Sequence, residues 1–364
     1  MKEKKGVFWK AYGIVVAVLL LVIVAIWIVL WQFLAVYEKS RAEYKVDEII
    51  EFLNNLDIDN LLDYIDFDLS EFENEEDFRK FLASDIEGEW TYSKKIGEYT
   101  KDEPVYNLIK DGTKKGVIYL TKEDKKGKFN TSIYKVESIV NLVSEPRTVT
   151  IKAPGNASVI VNDVTLSEDY ITSNDEEVTD LEYVADYITT PTYTTYTLEG
   201  IYGDLNVVAI GGVSGNELSV ENTSETEGKV TSYEYTFECS EDFINSVSQR
   251  VNDYIYQYVD YVINTKDATT VKNYTLSGSN ARRLITNSAV AISWNGTPKS
   301  IDYGEFDISN YQQYTDNCFS VEASVTASIV TSSGETREYP THMKLIWVKS
   351  NGIWYVVDFK LLNK

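Results

Sequence analysis

The stretch MKLIWVKSNGIWYVVD, Met343–Asp358, reads as two apolar β-rich runs joined across Ser350-Asn351-Gly352. An Asn-Gly pair between such runs signals a β-hairpin, because both residues tolerate the positive φ of a tight turn. Just upstream, residues 301–308, 318–331 and 337–348 also carry strand patterning, so this hairpin closes an antiparallel sheet. Before the sheet, Phe243, Val247, Val251, Ile255, Val259, Val262 and Ile263 recur at three- and four-residue spacing and make one helical face. Helices followed by strands is the order of an α+β domain.

The same order occurs once before in the chain. Residues 38–56 form a helical pattern through Val46, Ile49, Ile50, Leu53 and Leu56, with further helical turns at 59–64 and 75–82. The period then changes to that of strands at 90–99, 103–110, 115–122 and 129–140. A shift of 210 residues lays Phe52–Asp57 on Val262–Asp267 and Tyr64 on Tyr274. This describes a divergent repeat in which a helix ends and an aspartate caps the next one. Between the copies, after Glu145-Pro146, the chain is turn-rich and without helical periodicity, a small all-β, sandwich-like module. The expected organisation is a cytoplasmic tail (1–11), a transmembrane helix (12–36), a first α+β domain (38–143), the all-β module (144–238) and a second α+β domain (239–364).

The transmembrane reading rests on Gly13–Val36, 24 residues whose only polar side chain is Gln32. At about 1.5 Å per residue this run spans a hydrocarbon core of about 30 Å with some tilt. Trp9 and Tyr12 on one side, Trp31 and Tyr37 on the other, suit the headgroup layer as membrane anchors. Lys2, Lys4, Lys5 and Lys10 precede the run against a single acid, Glu3, so the positive-inside rule puts the N-terminus in the cytoplasm. The apolar run is too long for the core of a cleaved signal peptide, and no A-x-A-like site follows it before Glu38. Localisation at the cell membrane, single-pass, with the C-terminal mass outside, is therefore expected.

The whole chain has 34 Lys and Arg against 57 Asp and Glu. With the four N-terminal lysines and Glu3 set aside, 30 basic and 56 acidic residues remain, a formal charge of −26. Such a field opposes nucleic acid or anionic lipid headgroups as partners of the exported part.

Chemistry is sparse. There is one histidine, His342, and no H-E-x-x-H, C-x-x-C or G-x-x-x-x-G-K-[ST] motif. Gly212-Val213-Ser214-Gly215-Asn216 lacks the second glycine of a nucleophile elbow. No catalytic residue, cofactor or metal is expected. Cys239 and Cys318 either form a disulfide, closing a loop of about 80 residues worth on the order of 4 kcal/mol, or are two small buried hydrophobes. Among 27 tyrosines, Tyr193, Tyr196 and Tyr202 are candidates for an aromatic contact surface, set against ordinary half-buried strand positions.

The helix ending at Asn264-Thr265-Lys266-Asp267, the strand Cys318–Val330 and the hairpin Met343–Asp358, with its apolar-Lys-x-x-Gly-x-Trp pattern, resemble the nuclear-transport-factor-two-like superfamily. That resemblance implies a curved sheet wrapped around helices into a cone with a pocket. Residues 38–143 look like a weaker second copy, and Val149–Asp163 is similar to β-modules of Gram-positive envelope proteins. Taken together, the architecture resembles the extracytoplasmic part of the teicoplanin-resistance-associated membrane protein family. The cytoplasmic zinc ribbon with which that family often begins is not matched, since no cysteine precedes the helix.

The expected function is a non-catalytic, membrane-anchored binding or sensing protein of the cell envelope, touching the membrane through 12–36 and a wall glycan, peptide or protein outside. Alternatives are isomerase-like or hydrolase-like chemistry in the C-terminal cone, and a structural spacer or assembly subunit of an envelope complex. Oligomeric state is open.

Overall fold

The computed structural model describes residues 3–213, 215–226, 228–293 and 296–362. Lys2, the side chains of Lys4 and Lys5, and Ser214 lie outside the described residues. The chain is α+β and forms two compact units, Met1–Pro146 and Arg147–Lys364.

The first unit begins with α1 (Glu3–Lys39), one unbroken helix. Its most apolar window has a mean hydropathy of 3.4 and no buried residue, so by length and composition it is able to cross a membrane. Trp9, Tyr12, Trp31 and Tyr37 are all exposed on it. Next come α2 (Ala42–Asn54), α3 (Ile58–Leu62) and α4 (Glu75–Ile86). Asp57 caps α3 by accepting from the Asn60 amide, and Asn74 caps α4 by accepting from the Asp77 amide at 3.0 Å. Strands β1 (Trp90–Lys94), β2 (Val105–Lys110), β3 (Thr113–Lys122) and β4 (Tyr134–Val140) follow as an antiparallel sheet in chain order.

Val46, Ile49 and Leu53 of α2 and Phe78, Leu82 and Ile86 of α4 are fully buried with Tyr106, Leu108 and Ile118 of the sheet. Trp90 ties the layers together. Its indole Nε1 donates to the Ile86 carbonyl at 2.6 Å. Its backbone N–H donates to Asn54 Oδ1 at 2.8 Å, and its carbonyl accepts from Asn54 Nδ2 at 3.1 Å. The Asn54 amide thus supplies the backbone partner that edge strand β1 lacks on that side.

Among the described residues the second unit opens with the strands β5 (Arg147–Pro154), β6 (Ser158–Val161), β7 (Val164–Thr165), β8 (Ile171–Glu177), β9 (Thr192–Ile201), β10 (Val207–Gly211), β11 (Asn216–Glu217), β12 (Val220–Thr226) and β13 (Lys229–Tyr235). They form two sheets, β11-β10-β6-β7 and β12-β13-β5-β9-β8, with β13 and β5 parallel. Strand β12 is exposed along its whole length and carries no alternation, so its sequence shows no strand period.

Helices α5 (Glu241–Val262), α6 (Ala268–Lys272) and α7 (Asn280–Ser293) then precede β14 (Ser300–Tyr303), β15 (Asp307–Thr315), β16 (Cys318–Val330), β17 (Thr336–Ser350) and β18 (Ile353–Leu361). The stretch read as one strand over 301–308 is divided between β14 and β15, both of which pair with β16. Helix α7 has no counterpart in the sequence reading. Only Ala281 and Ile285 are buried in it, and its serines and small residues dilute the apolar period. The hairpin turn is as expected: Asn351 and Gly352 both have positive φ (51° and 79°), and Ser350 pairs with Ile353.

The repeat has a structural counterpart. Helices α3 and α6 begin 210 residues apart, at Ile58 and Ala268, and are capped by Asp57 and Asp267. The link from the preceding helix is two residues longer in the second copy.

Strand alternation gives β16 and β17 two buried faces. Phe319, Val321, Ala323, Val325, Met343, Leu345 and Trp347 pack inward on Val251, Tyr254, Ile255 and Val259 of α5. Cys318, Ile346 and Val348 face outward and are covered by Val178, Leu181 and Val184, from the link between β8 and β9, and by Phe237.

Candidate functional site

Beside that covered patch the outer face of the C-terminal sheet opens into a cleft of about 690 Å³. Its walls come from separate elements: Glu221 on β12, Glu238 and Cys239 on the link into α5, Tyr311 on β15, Glu322 on β16 and Lys344 on β17. A bulge in β15 shapes one side. The pairing with β16 skips between Ser309 and Gln312, and Asn310 takes a left-handed backbone (φ 52°). Asn310 Nδ2 then donates to Glu322 Oε2 at 3.0 Å, and His342 Nε2 lies 3.8 Å from the same oxygen. Glu322 and Lys344 are directly opposite in register.

The lining is held by hydrogen bonds. Glu238 Oε1 accepts from the Ser219 amide at 2.9 Å, and Gln312 Nε2 donates to Thr236 Oγ1 at 2.9 Å. The Tyr314 hydroxyl donates to Gln312 Oε1 at 2.9 Å. Lys344 leans toward Asp180, 3.7 Å away, which leaves the carboxylates of Glu221, Glu238 and Glu322 dominating the cleft's field. Burial pushes the Cys239 thiol up to about 12 and the Tyr311 phenol up to about 12. Both are neutral near pH 7, so they are available as hydrogen-bond donors, and Cys239 lacks the thiolate that nucleophilic attack requires.

The residues singled out from the sequence lie elsewhere for the most part. Cys239 and Cys318 are free thiols. Cys318 is fully buried against the β8–β9 link, where burial pushes its thiol up to about 12. Tyr193 and Tyr196 do not share a surface. Tyr193 and Tyr196 are three apart on β9 and therefore face opposite ways; Tyr196 is buried, and Tyr193 packs edge-on against Phe237 with centroids 5.2 Å apart. Of the cleft residues only Cys239 stands out in the sequence. A signal was present for Glu322, the one charged residue in the strand CFSVEASVTASIV.

The core between α5 and the C-terminal sheet is rich in rings. Phe319 stacks on Trp347 (5.7 Å, 4°), and Tyr254 meets Trp347 edge-on at 5.6 Å. Asp358 is buried near the start of α7, where Asn280 Nδ2 donates to its Oδ1 at 2.7 Å; burial holds its carboxyl above the ordinary range.

No family model and no curated protein matches the chain. Solved structures similar to it include two association domains and an Ntf2-like protein. The association domain of C. elegans CaMKII is 11% identical, over 34% of this chain and 100% of that one, with a TM-score of 0.26. A calcium/calmodulin-dependent protein kinase II association domain from Xanthomonas campestris is 9% identical, over 40% and 95%, with a TM-score of 0.22. An Ntf2-like protein involved in plasmid conjugation is 10% identical, over 77% and 82%, with a TM-score of 0.24. Likeness at this level carries no functional argument.

Proposed function

We propose that the chain is a single-pass, membrane-anchored protein of the cell envelope, with its N-terminus in the cytoplasm, that binds a partner group in the acidic cleft without catalysing a reaction. The observation that carries the binding half is the cleft itself, preorganised by the β15 bulge and its hydrogen bonds, with carboxylates from three strands or links and a neutral thiol. Such a lining suits a partial or full positive charge, such as an amine or amide-bearing peptide segment. The anchoring half is supported by α1 and the lysine asymmetry of its flanks. The order of anchor, α+β domain, all-β module and α+β domain is similar to that of the teicoplanin-resistance-associated membrane protein family, which supports a place in the envelope.

Labelling a Thr223→Cys variant in intact cells with a membrane-impermeant maleimide tests the topology. Thr223 lies on exposed β12, and labelling without lysis is the expected result. Protection until lysis overturns the orientation. For the cleft, charge reversal at Glu322 is expected to abolish crosslinking of a photoreactive residue at Asn310 to a cationic peptide probe, and unchanged crosslinking overturns the assignment.

A further inference from the structure

The link between β3 and β4 breaks with the charge of the rest of the exported chain. Residues 122–135 hold Lys122, Lys125, Lys126, Lys128 and Lys135 against Glu123 and Asp124, a local excess of three positive charges where the residues beyond the helix sum to −26. Lys122 is committed to Asp102. Lys125, Lys126 and Lys128 are exposed.

The tip of this link is a closed turn. The Thr131 amide donates to the Lys128 carbonyl at 3.3 Å, Thr131 Oγ1 donates to it at 2.9 Å, and the Gly127 amide donates to the Thr131 carbonyl at 3.0 Å. The two central residues, Phe129 and Asn130, are left-handed (φ 57° and 60°). Glycine and asparagine adopt that backbone at least cost, and a phenylalanine there is unusual. Its ring is 50% exposed, so burial in the protein does not account for it.

What the ring does touch is α1. Phe129 meets Phe33 edge-on, with centroids 5.7 Å apart. Phe33 stands three residues before Val36, the end of the apolar run, about 4.5 Å inside that boundary at ~1.5 Å per residue. Where α1 crosses a bilayer, the tip of the turn is therefore level with the boundary between acyl chains and headgroups, on the side opposite the N-terminus.

We propose that residues 125–130 form a membrane-surface contact, in which Phe129 enters the interfacial layer beside Phe33 while Lys125, Lys126 and Lys128 engage the phosphates of anionic phospholipid headgroups. Aromatic rings favour that layer, and lysines beside an anionic surface add attraction that falls off within a Debye length. The contact fixes the first unit against the bilayer at a second point besides its helix. The proposal rests on the reading of α1 as a membrane span.

The test uses the full chain with benzoylphenylalanine at position 129, reconstituted into vesicles of phosphatidylcholine alone or with roughly a third phosphatidylglycerol. Irradiation is expected to give lipid adducts at 129 in the anionic vesicles. Reversal of Lys125, Lys126 and Lys128 to glutamate is expected to lower their yield at least about tenfold. Replacement of the same three lysines by glutamine, which adds no repulsion, is expected to lower it in the same direction and guards against misfolding. Absence of adducts overturns the contact. Equal yields in the two lipids, or in wild type and both variants, overturn the headgroup assignment. The same photoreactive residue at Val24 is the control for the span: lipid adducts at 24 without any at 129 refute this proposal alone, whereas none at 24 refutes the membrane anchor.

Discussion

Replacing Asn54 by alanine removes the side-chain amide that serves both backbone groups of Trp90. Trp90 is 1% exposed, so its N–H and carbonyl have little access to water as a substitute. Each hydrogen bond is worth about 0.5–1.5 kcal/mol net, and an orphaned buried backbone group costs about 1–3 kcal/mol. With partial relaxation of the edge strand, the expected loss is roughly 2–3 kcal/mol, confined to the first unit. Hydrogen exchange followed by mass spectrometry on the full chain in detergent micelles reads this directly. Peptides covering β1 and the end of α4 should lose about 30- to 150-fold in protection, and peptides from the second unit should be unchanged. Asn54→Asp keeps the acceptor for the Trp90 N–H but loses the donor to its carbonyl, and should fall between wild type and alanine. Protection of β1 within threefold of wild type in Asn54→Ala would refute the claim that this amide stands in for a missing strand.

The attachment of the β8–β9 link to the C-terminal sheet should depend on packing more than on charge. Leu181→Ala, at a side chain 1% exposed, should cost about 2–5 kcal/mol in urea unfolding. Asp180→Asn should cost under about 1 kcal/mol, because the carboxylate that meets Lys360 at 2.5 Å is partly exposed. The Lys360 hydrogen bond lowers the Asp180 pKa, so its small contribution is present at neutral pH and is lost as pH falls through the folded value. Asp358 has the opposite sign. Burial raises its folded pKa, so its ionisation disfavours the folded state once pH exceeds the unfolded value of about 3.9. Asp358→Asn should therefore raise the melting temperature at pH 7, with the gain vanishing below about pH 4; a loss at pH 7 would contradict this. With pKa values pushed to about 12, Cys239 and Cys318 should resist iodoacetamide at pH 7 in the folded chain and react only after denaturation, as counted by intact mass.

Much of the local structure is legible in the residues. The apolar run of α1, the caps Asp57 and Asp267, the helical faces of α2 and α5 and the Asn351-Gly352 turn all depend on neighbours within a few positions. Helix α7 and strand β12 were illegible for the same reason, since neither shows a clean apolar period. The cleft was almost wholly hidden. Its residues are drawn from β12, β15, β16, β17 and the link into α5, and a polar residue in a strand does not announce what faces it across the fold.

By itself, the sequence determined the membrane-length helix, the sign of its flanks, and the order of helices before strands repeated about an all-β middle. Hydropathy, capping and turn sterics act over one or two turns of chain, so they survive as pattern. Only the tertiary structure decided which side chain meets which: the Asn54 amide on Trp90, Leu181 on the outer sheet face, Glu322 beside Asn310, and Phe129 on Phe33. Periodicity marks a face as buried but leaves its partner unnamed, because hydrophobic burial is non-directional and any complementary surface satisfies it.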